Sequence, residues 1–595
     1  MIKTACGLDC PDACGIISNS DIFPKVLADK EHPTSNGTLC SLINHQIHVE
    51  NRITKPRVDG KEVTLEEALN IVAEKLKVKE KLLWRGSGNF GAMQEITNLL
   101  FKAINGTITK GSLCDGSGDA GILAGRGINR LLPPSQIEKS EVIVVWGKNV
   151  TVTSSHLMQY INGKKLIVID PIKTEIAKSA DIFLQIKPRM DFYLAIILAR
   201  FIIMQNGEDR EFLDNWGSEY EDFYDFTREF RIKPILEHIG IELSLLGDIV
   251  ESIIGKKVVF LVGNGVQKYS IGNFVLHAID SLATILGLFG KEGSGVAFIG
   301  NSKLGIDNPF DLDIKRVQKA TTKFSKFETV LVQGGNPVES MPSSINVKNE
   351  LSKVKNLIYF GLYENETSKM ADIVIPAKNF FEKDDIRFSY SSYIVSPMRK
   401  IIESSNGISE YSFTKFLMNK FNFSYIKDEK YYIEYFLNQC NSVNGYFISP
   451  AYQELPYKNG FGENGGDEFE FIDDFYDDFE KVKKFQRITK NRKYEPKDEY
   501  FLVTPKGKNS LNTQFKRDTR AYLNPKLGFL DGEEIIVYSI YGEHKFNIKN
   551  SPKVREDTIL IYSNTFGVNK LTPPIISEEG DNACYQEVKI KLKKT

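Results

Sequence analysis

Four cysteines near the N-terminus are the first residues whose type and spacing point to chemistry. Cys6, Cys10 and Cys14 stand at equal spacing in TACGLDCPDACGI, and Cys40 follows in SNGTLCSL, although the whole chain has only seven cysteines. Clustered thiols in a reducing compartment are typical of metal or catalytic sites rather than of disulfides. Zinc also takes four thiolates, but zinc sites usually show two separated pairs. Three thiols in one tight loop with a distant fourth favour an iron–sulfur cubane, with zinc and disulfides as the alternatives.

A fifth cysteine, Cys114, lies in TKGSLCDGSGDAGILAGRG, a stretch rich in Gly, Ser and Asp that predicts the start of a helix. Glycines let the backbone approach a ligand closely, and a helix N-terminus favours a thiolate. Cys114 could therefore bind a metal or attack a substrate, or it could be a small buried residue. Asp115 and Asp119 could cap the helix or transfer protons. Cys440 and Cys584 lack such surroundings, and we predict that both are packing residues.

The composition is that of an ordinary large globular chain. Its 595 residues are 42% hydrophobic and 26% charged, with a formal net charge of −1. This length predicts two to four domains, and the near-zero net charge argues against a nucleic-acid-binding protein. No stretch approaches the roughly 18 apolar residues that a membrane span requires. The start, MIKTACGLDC, has no apolar leader and no twin-arginine signal, so we expect a cytoplasmic location.

Short apolar runs that end in Gly, Asn, Asp or Pro turns alternate with helical patterns after residue 80. Continuous apolar runs predict strands covered on both faces, as in parallel sheets. LEEALNIVAEKL (65–76) and FYLAIILARFIIM (192–204) predict helices. We therefore predict a multidomain α/β fold with doubly wound parallel sheets, whose ligands bind where the strands end. The runs are LLWRGSGN (82–89), EVIVVWGKN (141–149), KLIVIDP (165–171), VVFLVGNG (258–265), TVLVQGGNP (329–337), NLIYFGLYEN (356–365) and ADIVIPA (371–377).

The pattern divides the chain into four segments. Residues 1–55 carry the N-terminal thiols, and residues 56–455 carry the α/β repetition. Residues 456–495 are acidic and Gly-rich, which predicts an exposed connector. Residues 496–595 contain short β patterns with Gly and Asn-Pro turns, which predict a C-terminal β-barrel.

With these motifs in this order, the chain resembles the DMSO-reductase superfamily of molybdenum or tungsten bis-pterin oxidoreductases, especially catalytic subunits of the formate dehydrogenase and polysulfide reductase type. CGLDCPDAC…LC is similar to the N-terminal [4Fe-4S] motif of that superfamily, and SLCDGSGDAG resembles the segment that presents the metal ligand. VVWGKNVTVTSSH, LIVIDPIKTEIAKSADIFLQIKPRMD, VGNGVQKYSIGN and QGGNPVESMP resemble its pterin-dinucleotide segments. LGFLDGEEIIVYSIYG and SNTFGVNKLTP resemble its C-terminal barrel.

The resemblance implies two molybdopterin guanine dinucleotides around one Mo or W ion, with Cys114 completing the ligand sphere of the metal and Asp115 beside it as a catalytic residue. It also implies a [4Fe-4S] cluster on the four N-terminal cysteines, which passes electrons to a partner. Pyrophosphates suit glycine-rich turns backed by helix N-termini. The candidate cofactor contacts are Gly147, Asn149, Asp170, Gly263, Gly265, Gly335, Asn336 and Asn569.

Four positions depart from the pattern of the superfamily. Many members have a lysine two residues after the fourth cysteine, where this chain has Leu42. Formate dehydrogenases place His after the metal ligand, where Asp115 stands here, and a carboxylate with an ordinary pKa is a weaker base than imidazole. Arg189 and Met190 replace a common Gly-Thr pair in a turn that faces the cofactor.

We therefore predict a redox enzyme that exchanges two electrons with a small substrate, such as formate or a sulfur oxyanion, and passes them to an electron-carrier protein or redox subunit. Two alternatives stay open. One is a hydratase or transhydroxylase of the same fold, in which Asp9, Asp12 or Asp115 would activate water. The other is an electron-relay subunit that keeps the cluster and lacks the metal–pterin.

Overall fold

The computed structural model describes residues 1–48, 50–87, 91–471 and 498–595. Within these ranges the chain forms two mainly parallel sheets covered by helices, several smaller sheets and a closed C-terminal barrel. This arrangement confirms the predicted fold class. No helix in the described part of the chain is both long enough and apolar enough to cross a bilayer.

A five-stranded, all-parallel sheet forms the first layer, and we call it the first sheet. Every residue of its two central strands, Val142–Trp146 and Val258–Val262, is buried, because helices cover both faces of these continuous apolar runs. In sheet order its strands are Ile182–Leu184, Lys165–Ile169, Val142–Trp146, Val258–Val262 and Gly295–Ala297.

A larger sheet, which we call the second sheet, is parallel over its first six strands and antiparallel at the far edge. Its central strands Thr329–Gln333 and Asn356–Gly361 are also buried at every residue. In sheet order its strands are Lys315–Gln318, Thr107–Lys110, Lys81–Arg85, Thr329–Gln333, Asn356–Gly361, Ile373–Pro376, Arg57–Val58 and Lys61–Glu62. The end of the predicted run 82–89, residues 88 and 89, lies outside the described residues.

Antiparallel sheets support the N-terminal segment. Ile2–Ala5, Gly15–Ser18 and Leu27–Ala28 form one sheet, and a second one contains Asp385–Phe388 and Ile394–Met398. The second antiparallel sheet is completed by Tyr446–Ile448 and Asn441–Val443, and separate short pairs join Gly217–Ser218 to Phe469–Glu470 and Ser510–Leu511 to Gln514–Phe515.

The C-terminal barrel closes as predicted. Its long strands alternate between buried and more exposed residues, since one face of each strand points into the barrel core. In barrel order the strands are Tyr500–Val503, Thr558–Leu560, Arg520–Leu523, Gly542–Asn550, Glu534–Ser539 and Lys589–Lys594.

Helices cover both parallel sheets. Asp191–Met204 is buried at nearly every position, as its apolar sequence predicts. Gly116–Arg126 packs on Gly272–Ile285 so closely that a Cβ at Gly121 would lie 2.0 Å from the Asn273 carbonyl oxygen. The other α-helices are Leu42–Ile47, Leu65–Lys75, Thr97–Ala103, Pro134–Glu138, Val150–Thr153, Met158–Ile161, Arg210–Trp216, Tyr220–Arg228, Ile232–Ile239, Leu243–Ile253, Pro337–Ser340, Ser344–Leu351, Glu410–Lys420 and Glu429–Leu437.

The predicted acidic connector, residues 456–495, is only partly exposed over its described part. Its charged and Gly-rich positions are mostly exposed, but Tyr457, Phe461, Phe469 and Phe471 are buried in the same hydrophobic core as the first sheet. These aromatic residues were not expected to be buried, and they bury because they gain more from burial than the local charge costs. Residues 472–495 lie outside the described residues, and the domain boundaries stay predictions.

Candidate functional site

One cavity of about 550 Å³ lies between the two parallel sheets, the N-terminal hairpin and the barrel. The predicted metal ligands, Asp115 and the predicted cofactor contacts all line it, although these residues span the chain from position 6 to position 569. They are Cys6, Cys10, Cys14, Cys40, Cys114, Asp115, Gly147, Asn149, Asp170, Gly263, Gly265, Gly335, Asn336 and Asn569. Asp119, the other candidate for proton transfer, does not line it, and its carboxylate accepts from the Asn129 amide at 2.7 Å.

The N-terminal thiol loop is the turn of a hairpin. Ala5 pairs with Gly15 across the two strands, and the Cys6 N–H donates to the Cys14 carbonyl oxygen at 2.9 Å. The loop tip rests on the buried guanidinium of Arg387, which donates to the carbonyls of Leu8 and Cys10. These contacts help to fix the shape of the loop.

The four thiols of this region face one wall of the cavity. Burial, followed by the charge of Cys10, raises the pKa of Cys6, and burial with Asp12 raises the pKa of Cys10 to about 12. Burial likewise raises the pKa of Cys14 and Cys40. Thiolates at these positions need a cationic centre to stabilise them. A metal cluster with the four cysteines as its ligands fits this requirement. No three His, Cys, Asp or Glu side chains in the described ranges are placed to hold a single ion.

Cys114 lies on the opposite part of the wall, in the loop between strand Thr107–Lys110 and helix Gly116–Arg126. The Ser112 hydroxyl accepts from the Cys114 N–H at 2.9 Å and shapes this loop. Lys268 donates to the Leu113 and Cys114 carbonyls at 2.9 and 2.5 Å. The Asn264 amide donates to the Cys114 sulfur at 3.1 Å. Sequence analysis missed Asn264 and Lys268, since both come from a distant turn.

The Cys114 thiol is exposed to the cavity but surrounded by protein on all other sides. Burial, with the charge of Asp115, raises its pKa to about 11, and Lys268 partly offsets this effect. The expectation that Asp115 caps the helix is only half right. Asp115 holds the N-cap position, but its side chain makes no capping bond and instead accepts from the Ser112 hydroxyl at 2.8 Å.

Two stretches of the chain present the same turn to the cavity. We call residues 142–184 the first turn unit and residues 329–376 the second turn unit. Gly147 and Gly334 follow the first strand of each unit with φ angles of 58° and 59°. An asparagine two residues later, Asn149 or Asn336, begins a short helix in both units. The units differ between these residues, where the first has Lys148 and the second has Gly335.

Glycine is required in these turns because the backbones touch. A Cβ at Gly263 would lie 2.0 Å from the Gly147 carbonyl oxygen, whereas a Cβ at Gly265 would have its nearest contact at 3.4 Å. At Gly335 a Cβ would lie 2.5 Å from the ring of Trp84. These close approaches give the cavity a wall of backbone, which is the surface that pyrophosphate groups require.

Two buried carboxyl groups, Asp170 and Asp191, stand together at the first turn unit. Burial raises the pKa of Asp170 to about 7, and Asp191 adds to this shift. Burial raises the pKa of Asp191 to about 6, although the Trp146 indole donates to it at 2.8 Å. Sequence analysis found Asp170 and missed Asp191, which begins a helix and could be found only through its position after the turn.

Four lysines, all missed in the sequence, line the cavity: Lys148, Lys268, Lys319 and Lys506. None of them forms an ion pair with a carboxylate of the described residues. Burial lowers the pKa of Lys148 and Lys268. Uncompensated ammonium groups in a cavity suit an anionic ligand, and the two pyrophosphates of a bis-dinucleotide are such a ligand. The residues present therefore fit the cofactor that the resemblance implies.

The two remaining asparagines line the cavity with side chains already engaged. The Asn569 amide donates to the Glu339 carbonyl at 2.6 Å, and the Asn336 amide donates to Glu366 at 2.7 Å.

Arg189, at one of the positions that depart from the superfamily, has a φ of 73° and forms an ion pair with Glu587. Cys440 is half-buried against a core cluster and Cys584 is fully buried, which confirms both as packing residues.

Comparison with known proteins gives a family and a fold. The family model described as molybdopterin oxidoreductase matches residues 52–407, more than half of the chain. The chain is 26% identical over 437 residues to a probable oxidoreductase of Bacillus subtilis (strain 168), YyaE, which covers 66% of this chain and 64% of that protein. It is 26% identical over 526 residues to the F420-dependent formate dehydrogenase subunit alpha of Methanocaldococcus jannaschii, which covers 76% and 74% of the two chains.

The assimilatory nitrate reductase catalytic subunit of Bacillus subtilis is 25% identical over 415 residues, 60% of this chain and 58% of that one. The chain spans slightly less than two thirds of the length of YyaE and of a second probable oxidoreductase of the same organism, YoaE. The solved structure of acetylene hydratase from Pelobacter acetylenicus matches with a TM-score of 0.77 at 14% identity, over 100% of both chains. That match confirms the shared fold.

Proposed function

Since the chain belongs to the molybdopterin oxidoreductase family, we propose that it catalyses a two-electron oxidation or reduction of a small anionic substrate, of the formate or sulfur-oxyanion type. A molybdopterin cofactor with Mo or W follows from the family. The observation that supports the finer proposal is that the four N-terminal thiols, Cys114 and both turn units line one cavity. We further propose that the electrons leave through a [4Fe-4S] cluster to a separate redox protein.

In this proposal each part of the wall has one task. The two turn units hold the pyrophosphates together with the cavity lysines Lys148, Lys268 and Lys506. Asp170 with Asp191 accepts hydrogen bonds from a base or ribose. Cys6, Cys10, Cys14 and Cys40 hold the cluster. The bound metal–pterin group supplies the exchange of two electrons with the substrate.

The residues around Cys114 control its sulfur. Lys268 fixes the backbone of the loop through two carbonyls, and the Asn264 amide donates to the sulfur itself. A hydrogen bond to a thiolate lowers the charge that it donates to a metal, so Asn264 also adjusts the reduction potential. Asp115, held by Ser112, stands next to Cys114 and can hold a proton beside the ligand.

The relatives named as subunits suggest the electron partner. The formate dehydrogenase chain is named as subunit alpha and the nitrate reductase chain as a catalytic subunit. We propose that this chain likewise delivers electrons to a protein that binds near the thiol loop, where Cys40 is the exposed member of the four thiols.

The first test is anaerobic purification followed by analysis of Mo, W, Fe and pterin, and then a dye-linked screen of formate and small oxyanions. We expect Mo or W together with iron, and turnover that requires a stoichiometric electron donor or acceptor. Iron without Mo or W would support a relay subunit instead. Turnover without any electron acceptor would support a hydratase.

The second test replaces the proposed metal ligand. We expect Cys114→Ala to lower turnover by at least about 10³-fold while iron content is unchanged, because only the Mo or W sphere loses a ligand. Cys440→Ala is the matched control, since that thiol packs in a distant core, and it should keep full turnover. Full metal-dependent turnover in Cys114→Ala would rule out the ligand role.

A further inference from the structure

Lys319 differs from Lys148 and Lys268 in its surroundings. Lys268 is engaged by two loop carbonyls, and Lys148 feels the charge of Asp12 on the thiol loop. Lys319 directly follows strand Lys315–Gln318, and its N–H donates to the Lys110 carbonyl at 2.8 Å. Since strand Thr107–Lys110 leads directly into the Cys114 loop, Lys319 reaches the cavity on the same side as Cys114.

The ammonium of Lys319 lies over an aromatic ring that carries an unused donor. Its Nζ atom is 5.3 Å from the centre of the Trp84 ring, within the range of a cation–π contact. Trp84 is 1% exposed, lines the cavity, and its indole N–H has no acceptor within the described part of the chain. A buried N–H without an acceptor costs free energy unless a ligand supplies one.

The charges around Lys319 leave its ammonium without a direct counter-ion. No carboxylate of the described residues lies within 4.0 Å of it. Burial and the neighbouring guanidinium of Arg85 lower the pKa of Lys319 to about 8, and the more distant charges of Asp9, Asp115 and Cys114 oppose this shift. A buried cation in such a position is stabilised when an anion binds beside it.

We propose that Lys319, held over the Trp84 ring, binds the oxygens of the substrate on the Cys114 side of the cavity, and that Lys319 thereby selects a small oxyanion over a neutral molecule of the same size. This inference rests on the proposed function and names a residue that recognises the substrate. Lys319 acts on the binding of the anion, whereas Cys114 acts on the metal.

The test compares anion binding by the metal-loaded wild-type protein and by Lys319→Gln. Formate and nitrate ions are the probes, acetamide is the neutral control, and the rise in melting temperature at constant ionic strength gives the dissociation constant. We expect at least one ion to bind the wild type, and Lys319→Gln to weaken that binding at least tenfold at unchanged Mo or W and guanine content. Lys319→Arg should keep most of the affinity, because it keeps the positive charge.

The dependence on pH separates this role from a structural one. Wild-type affinity for the anion should be constant below about pH 8 and fall above it, because the ammonium loses its proton there. Lys319→Gln should show no such decline.

Three results would overturn the inference: a metal-loaded wild type that binds neither ion, unchanged anion affinity in Lys319→Gln, or loss of metal and dinucleotide from that variant. The last result would assign Lys319 to the cofactor. A wild type that contains no Mo or W would instead overturn the proposed function.

Discussion

The first and second turn units present the same backbone conformation to the cavity, but their side chains carry different charges. In both, a carboxylate of the unit accepts from the N–H of its second strand at 2.7 Å, Asp181 from Leu166 and Asp372 from Leu357. The first unit presents Lys148 and Asp170 to the cavity, while its Glu175 pairs with Lys178 and with Lys553 of the C-terminal segment. In the second unit Glu366 is paired with Arg517, a residue of the C-terminal segment, at 3.1 Å.

This difference separates what a glycine turn provides from what side chains add. The turn can occur twice because it needs only a buried strand, a glycine with positive φ and an asparagine before a short helix. The side chains then specialise. Both units use a carboxylate to anchor the C-terminal segment, the first through Glu175 and Lys553 and the second through Glu366 and Arg517. Of the two, only the first also presents a lysine, Lys148, to the cavity.

The largest expected effect comes from disrupting the backbone contact between Gly263 and Gly147 of the first turn unit. Gly263→Ala places a Cβ 2.0 Å from the Gly147 carbonyl oxygen, and no side chain can move aside to relieve it. We expect a loss of more than about 3 kcal/mol of stability and of nearly all bound dinucleotide and metal. Thermal unfolding, metal analysis and guanine content measure this.

Gly265→Ala is the control in the same turn. Its added Cβ would find its nearest atom at 3.4 Å, so we expect cofactor content close to that of the wild type. Equal damage from both substitutions would show that the close backbone approach does not explain the requirement for glycine.

A smaller expected effect is on the pH dependence of stability, which Asp170 of the first unit and Glu364 of the second unit should change in opposite directions. Burial raises the pKa of Asp170 to about 7, so the folded protein binds a proton that the unfolded chain releases near pH 4. The stability of the cofactor-free protein should therefore fall by about 2 to 3 kcal/mol between pH 5 and pH 8 through this group. We expect Asp170→Asn to remove that decline in urea unfolding.

Glu364 of the second turn unit should respond in the opposite direction. Burial opposes its ionisation, but hydrogen bonds from Arg57 and Ser368 outweigh burial and hold its pKa below the ordinary value. Its stabilisation is present at neutral pH and is lost on acidification. If Asp170→Asn and Glu364→Gln changed the pH dependence in the same direction, the contrast between the units would be wrong.

The smallest effect concerns the two asparagines that begin the short helices. Asn336 is buried, donates to Glu366 and accepts from the Thr367 hydroxyl at 2.9 Å, whereas Asn149 is half-buried and accepts from Thr151. We expect Asn336→Ala to cost about 1 to 2 kcal/mol of stability.

Asn149→Ala should cost less than about 0.5 kcal/mol of stability but lower the guanine content. Chemical denaturation and nucleotide analysis of both variants measure the two effects. A larger loss of stability in Asn149→Ala than in Asn336→Ala would reverse the assignment of Asn149 to the ligand and Asn336 to the fold.

The sequence predicted the parts of the site that depend on local pattern. Strands with continuous apolar runs, glycine turns and clustered thiols are visible in a single sequence, and the predicted metal ligands and cofactor contacts all line one cavity. The cavity lysines could not be predicted in this way. Lys148 and Lys319 are like any surface lysine in sequence, and only the packing of two sheets and a barrel around them makes them buried.

The burial of aromatic residues in 456–471, the described start of the connector, was not predicted, for a related reason. Residues 456–471 are acidic and Gly-rich, so their average composition indicates a loop, yet Phe461 and Phe469 are almost fully buried. A few aromatic anchors determine the position of such a segment, and an average over its residues hides them. Asp115 shows the same limit, because its hydroxyl partner is known only from the folded loop.

The wall of the cavity also has a consequence for the order of assembly. Its lining begins at Cys6 and continues to Tyr585 and Gln586, beyond most of the barrel. During synthesis the chamber thus stays open on one side until the barrel strands have been made and have paired. A large prosthetic group can enter from that side while it is open, and the docking of the barrel afterwards acts as the step that encloses it.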